Sequence, residues 1–125
     1  MITATNLSDQ KDALAGVARF SVPTVPAGEE SDEIAFAAPS SGTIKGVSIA
    51  CSSAEFDLSL RQQAAISPPH IDEIYKVTDI ENVWRANLHI PYRNRDTSPQ
   101  PLLYGKIVNR DTNDTGLIII ELTIA

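Results

Sequence analysis

The chain is poor in the residues that most often announce a function. Among its 125 residues there is one cysteine, Cys51. A single thiol excludes an internal disulfide framework and every multi-cysteine zinc pattern. Its setting, Val47-Ser48-Ile49-Ala50-Cys51, is that of a buried structural thiol. The six glycines are scattered and build neither a GxGxxG nor a Walker loop, so no phosphate cradle is expected. Aromatic residues make up only 6%. No apolar run approaches the length of a membrane span, and Ile-Thr-Ala-Thr after Met1 lacks the basic and apolar regions of a signal peptide. The cytosol is the expected place of synthesis, and no membrane contact is expected.

Positive charge is also scarce. Ten Lys and Arg stand against sixteen Asp and Glu, for a net charge of -6. Neutralising phosphates needs the opposite balance, so nucleic acid is not an expected partner. The charge is unevenly spread. Arg85, Arg93, Arg95, Lys106 and Arg110 face only Asp96 in their stretch of chain, whereas Asp9, Asp12, Glu29, Glu30, Asp32 and Glu33 face Lys11 and Arg19. Such polarity suits contact between the acidic end of one copy and the basic turns of another, or simply solvated loops.

What is present is β patterning with turn punctuation. Asn94-Arg95-Asp96-Thr97 and Asn109-Arg110-Asp111-Thr112 each follow an apolar stretch. Asn and Asp bond their own backbone and tolerate left-handed conformations, which marks both tetrads as turns. Strands are expected at 17–22, limited by Pro23 and Pro26, and at 34–37, ended by Pro39-Ser40-Ser41-Gly42. A third spans 43–50, with Gly46 as a bulge candidate. In Phe56 to Arg61 the alternation sends Phe56, Leu58 and Leu60 inward and Asp57, Ser59 and Arg61 outward. Ser67-Pro68-Pro69 belongs to a loop. Residues 71–80 fit helical spacing as well as a strand, and their β-branched content favours the strand. Residues 82–90 follow, limited by Pro91, and then 102–108 and 116–124. The last run is apolar on both faces, which calls for a central strand or one whose second face meets another subunit.

The expected fold class is therefore all-β, an antiparallel, jelly-roll-like β-sandwich of about eight short strands. It comprises an extended N-terminal arm over residues 1–15 and the sandwich over 16–125. Asn6-Leu7-Ser8-Asp9 can cap a short helix at 10–15.

No catalytic constellation is legible. His70 and His89 stand at unrelated spacing, no serine sits on a strained turn, and Asp72-Glu73 or Glu29-Glu30 point to opposite sides of a strand. Enzymatic activity, cofactors and metal ligands are thus not expected. Trp84, Tyr92 and Tyr104, with Tyr75, are candidates for a sugar-stacking platform, or else fill the core.

The C-terminal half carries a resemblance. The order Asp72-Glu73-Ile74-Tyr75-Lys76-Val77, then Leu88 through Asp96, then Leu103 through Asn109 and a final strand at 116–123 resembles small β-sandwich virion proteins of tailed bacteriophages. A weaker likeness, in Phe36 to Ile44, is to the opening strands of jelly-roll binding modules. The first resemblance implies a virion protein made in the host cytoplasm that cements or decorates the capsid. Its implied partners are the major capsid protein and copies of itself, with trimers as the expected assembly. Ile2 and Leu7 of the arm and Arg93, Arg95 and Arg110 of the basic turns are the expected contacts. A tail or baseplate component and a carbohydrate-binding or receptor-binding module are the alternatives.

Overall fold

The computed structural model describes residues 2–50, 55–61, 73–80, 83–85, 88–93 and 101–125. Among these described residues ten strands and one short helix follow in chain order: β1 (Thr5–Asn6), α1 (Gln10–Leu14), β2 (Val17–Val22), β3 (Ile34–Ala37), β4 (Ser41–Ala50) and β5 (Phe56–Arg61). They continue with β6 (Glu73–Ile80), β7 (Val83–Arg85), β8 (Ile90–Arg93), β9 (Leu102–Asn109) and β10 (Ile118–Ile124). One sheet runs β1-β2-β10-β4-β7, with β8 also on β4, and the other runs β3-β9-β5-β6. All pairings among the described strands are antiparallel. The protein is an all-β sandwich of jelly-roll type.

Alternation explains why the sheets face each other as they do. In β10, Ile118, Ile120, Leu122 and Ile124 are buried while Ile119 and Thr123 are exposed. β2 matches it with Ala18, Phe20 and Val22 inward, and β4 with Ile44, Val47 and Ile49. The second sheet answers with Phe36, Phe56, Leu58, Leu60, Leu103 and Ile107. Phe20 and Phe36 stack across the gap at 5.0 Å between ring centroids. Gly105 of β9 makes room for this stack, since a Cβ there would lie 2.9 Å from Phe20 Cζ.

One expectation holds and three shift. Residues 73–80 are a strand, and the β-branched content prevails over the helical spacing. Ser41 and Gly42 belong to β4 instead of to a turn, because Arg93 and Tyr92 of β8 pair with them. Pro91 lies inside β8 instead of ending a strand, which an edge position tolerates because its missing N–H costs no ladder bond. The irregularity near Gly46 centres on Lys45: Thr123 opposes Gly46 and Ile124 opposes Ile44, leaving Lys45 as the extra residue.

The largest correction concerns β5. Asp57, Ser59 and Arg61 do alternate away from the core, yet they are only 3%, 9% and 6% exposed. Their strand lies between β9 and β6, and on its outer side Arg110 lies over Asp57, with Nε 2.6 Å from Asp57 Oδ2.

The segment 1–15, read as an extended arm, folds back along its own sandwich over the described residues 2–15. β1 extends the first sheet beyond β2, with Thr5 opposite Ser21 and Asn6 opposite Phe20. Asn6 Nδ2 also donates to Ala35 O of β3 at 3.0 Å, and Asp32 N donates to Ile2 O at 2.8 Å. The segment thereby straps the edge of one sheet to the edge of the other. α1 begins at Asp9, whose carboxylate accepts from Asp12 N while Asp12 accepts from Asp9 N, a reciprocal cap. It ends at Gly16, whose φ of 99° is open to glycine at little cost.

Candidate functional site

The outer face of the first sheet is built by the register of β10 with its two neighbours. Ile119 stands between Ser21 and Ala50, Glu121 between Arg19 and Ser48, and Thr123 between Val17 and Gly46. Ile119 is 40% exposed at the centre of a sheet, and Leu117, just before the strand, is 57% exposed. Ala50 beside Ile119 is exposed too. A rigid apolar spot results, with Ser21 and Ser48 at its margin. Next to it Arg19 Nη2 and Nε approach Glu121 Oε2 at 2.7 and 2.9 Å, a surface pair that saturates both charges. A shallow cleft of about 180 Å³ lies alongside, lined by Ser8, Asp12, Ala15, Val17 and Arg19.

The second feature is the turn after β9. Asn109 is buried; its Nδ2 donates to Val25 O and Asn113 O, and its Oδ1 accepts from Asp111 N. Asp111 accepts from the backbone N–H groups of Glu55, Thr112 and Asn113. These donors, Glu55 first, hold its carboxyl below the usual aspartate value. Asp114 accepts from Ala27 N, and Thr115 Oγ1 from Val25 N. The turn read from Asn109-Arg110-Asp111-Thr112 is thus real and is tied to the β2–β3 connection and to the start of β5. Glu55, Arg110, Asp111 and Thr112 line a polar hollow of about 290 Å³ over it. The Asp111 carboxylate there is already engaged by N–H donors. Among the described residues no three His, Cys, Asp or Glu side chains are grouped to hold a metal ion.

The expected contact residues are dispersed. Ile2 is partly buried against the core, which removes most of its surface from any outside partner, while Leu7 is 45% exposed. Arg93 is exposed at the end of β8 in the first sheet. Arg110 follows β9 of the second sheet and is bound within its own chain, its Nε 2.6 Å from Asp57 Oδ2. Arg95 lies outside the described residues, as do Cys51, His70, Asp72, Ser67-Pro68-Pro69 and the first tetrad, 94–97. Exposed His89 has Nδ1 3.4 Å from Lys45 Nζ, across the β4 edge.

The proposed stacking platform is not assembled by its tyrosines. Tyr92 is 5% and Tyr104 9% exposed, so neither offers a free ring face to a sugar. Tyr92 donates to Pro39 O at 3.1 Å, and desolvation pushes its pKa up to about 12. Trp84 belongs to β7 opposite Ser48, and its side chain lies outside the described part. Sequence reasoning pointed to the doubly apolar last strand, but not to Leu117 and Ile119 individually or to Asp57. The signal for the first two was the unbroken run Leu117-Ile118-Ile119-Ile120, where alternation should have inserted polar residues.

No protein-family model matches the chain. No curated protein matches it either. Among solved structures it is similar to the crystal structure of a cupin domain from Bordetella pertussis Tohama I, at 10% identity and a TM-score of 0.39. That similarity extends over 99% of this chain and 93% of the other.

Proposed function

We propose that this protein is a structural component of a tailed-phage virion, attached to the capsid as a cement or decoration protein. The observation that carries the reading is the exposed Ile119 on the outer face of β10, with exposed Leu117 just before the strand. A central strand flanked on both sides is a stiff support, so covering its apolar side chains costs little ordering entropy. Full coverage of each contributes about 1 to 2 kcal/mol. The resemblance of the C-terminal half to small virion sandwiches supplies the partner class: the major capsid protein, with copies gathered at symmetry axes as trimers. Attachment then runs through the β10 face and the exposed part of the N-terminal segment around Leu7, with Ile2 serving its own core.

The test is the solution mass of the full chain by light scattering, followed by co-sedimentation with the assembled capsid lattice encoded alongside it. Stoichiometric binding that is lost in Ile119→Glu, at unchanged melting temperature, is the expected result. Failure to bind the lattice at saturating concentration overturns the reading, and capture by tail or baseplate assemblies instead moves the protein to the tail.

A further inference from the structure

We propose that the groove between β2 and β3 receives residues 2–8 of a second copy of this chain, so that copies are linked by exchanging their N-terminal segments. The inference does not rest on the virion reading.

The shape of the groove is known from what fills it. Asp32 N donates to Ile2 O, Asn6 Nδ2 to Ala35 O, Leu7 N to Arg19 O and Arg19 N to Ser8 Oγ, at 2.8 to 3.0 Å. Beneath them Ile2 and Ala4 pack against the core. Every one of these hydrogen bonds joins the segment to residues 19–35, beyond the hinge. None depends on both partners belonging to one chain. The same segment from another copy reproduces each bond in the same register, which is the condition for exchange of an identical element.

The connection is short and is pinned to the sandwich at its far end, where Gly16 O accepts from Ile124 N at 2.8 Å. Between Ser8 and β2 the chain makes only α1, a helix of five residues in which Ala13 alone is buried. It ends at Gly16, whose positive φ turns the chain into β2 in a conformation few other residues adopt readily. Leu14 is 70% and Leu7 45% exposed. Two large apolar side chains on one short segment gain little where they stand. In an exchanged pair the two hinge segments run side by side, and Leu14 of each copy is covered by the other. Contacts within the groove are equal in both arrangements, so concentration decides between them, the tethered segment competing at an effective concentration in the millimolar range.

The experiment uses the full chain carrying Thr5→Cys and Ser21→Cys, opposed in the β1–β2 ladder, with Cys51→Ser to remove the remaining thiol. Opposed positions in an antiparallel pair satisfy disulfide separation. Oxidation at rising protein concentration is expected to yield covalent dimers in increasing share, reversed by reductant. Intrachain disulfides alone, at every concentration up to millimolar, overturn the proposal. A second measurement needs no substitution: isotope-labelled and unlabelled wild-type chains are mixed and read by isotope-filtered NMR. Interchain contacts between residues 5–7 and 19–21 are expected. Association without those contacts places the copies' interface elsewhere and equally overturns the exchange.

Discussion

Arg110 Nε lies 2.6 Å from Asp57 Oδ2, joining a side chain that is 64% exposed to one that is 4% exposed. The pair fastens the turn after β9 to the middle of the second sheet. Removing the cation leaves a carboxylate in a site with little water. Arg110→Ala is therefore expected to cost about 1 to 3 kcal/mol, against about 0 to 1 kcal/mol for Arg19→Ala in the open Arg19–Glu121 pair. Urea denaturation of both variants checks the ranking, and a double-mutant cycle with Asp57→Asn isolates the coupling. Equal costs for the two arginines would sink this account.

Gly105→Ala tests the stack between the sheets. The new Cβ would meet Phe20 Cζ at 2.9 Å, and Phe20 cannot retreat without disturbing Phe36, 5.0 Å away. Overpacking of this kind costs about 1 to 3 kcal/mol. Thermal unfolding should show the loss; Gly28→Ala, with nothing within 4 Å of the added atom, should lose only the roughly 1 kcal/mol of backbone strain that its φ of 75° imposes on a residue with a Cβ.

Asp111 predicts an acid-sensitive turn. Its folded carboxyl titrates below the ordinary value of 3.8 because the N–H groups of Glu55, Asn113 and Thr112 favour the charged form. The unfolded chain binds the proton first as pH falls. The stabilisation is therefore complete above the ordinary value and is lost as pH drops through the folded one. NMR titration should show the amides of Glu55, Thr112 and Asn113 moving together in that window. In Asp111→Asn the pH dependence of melting should flatten there.

Tyr92 acts at the alkaline end. Its folded pKa of about 12 exceeds the ordinary 10.0 because burial penalises the phenolate. The unfolded chain releases the proton first, so stability falls as pH rises from 10 toward 12. Ultraviolet titration should find a tyrosine ionising near the top of that range, and Tyr92→Phe should abolish its share of the alkaline slope. Losing the bond to Pro39 O in that variant costs about 1 kcal/mol at neutral pH.

Much of the strand pattern was legible because alternation is a local property. β5 places Phe56, Leu58 and Leu60 inward by period alone, and the Asn109–Asp111 turn follows from side chains that bond their own backbone. The surface site was legible only as a strand, Leu117 to Ile120 being apolar where alternation calls for polar residues. Which of its side chains stay exposed depends on what covers them. That information lies in β2 and β4, far away in sequence.

By itself the sequence determined the all-β class, the apolar and polar faces of most strands and the position of the turn after β9, all consequences of neighbours within a few residues. Tertiary structure decided what the far side of each strand meets. It buried Asp57, Ser59 and Arg61 on the outer side of β5, enclosed Tyr92 and Tyr104, admitted Pro91 to an edge, and folded the N-terminal segment across β2 and β3. The physical reason is common to all four. Periodicity specifies direction relative to the local backbone, whereas burial is a sum over residues brought near by the whole course of the chain.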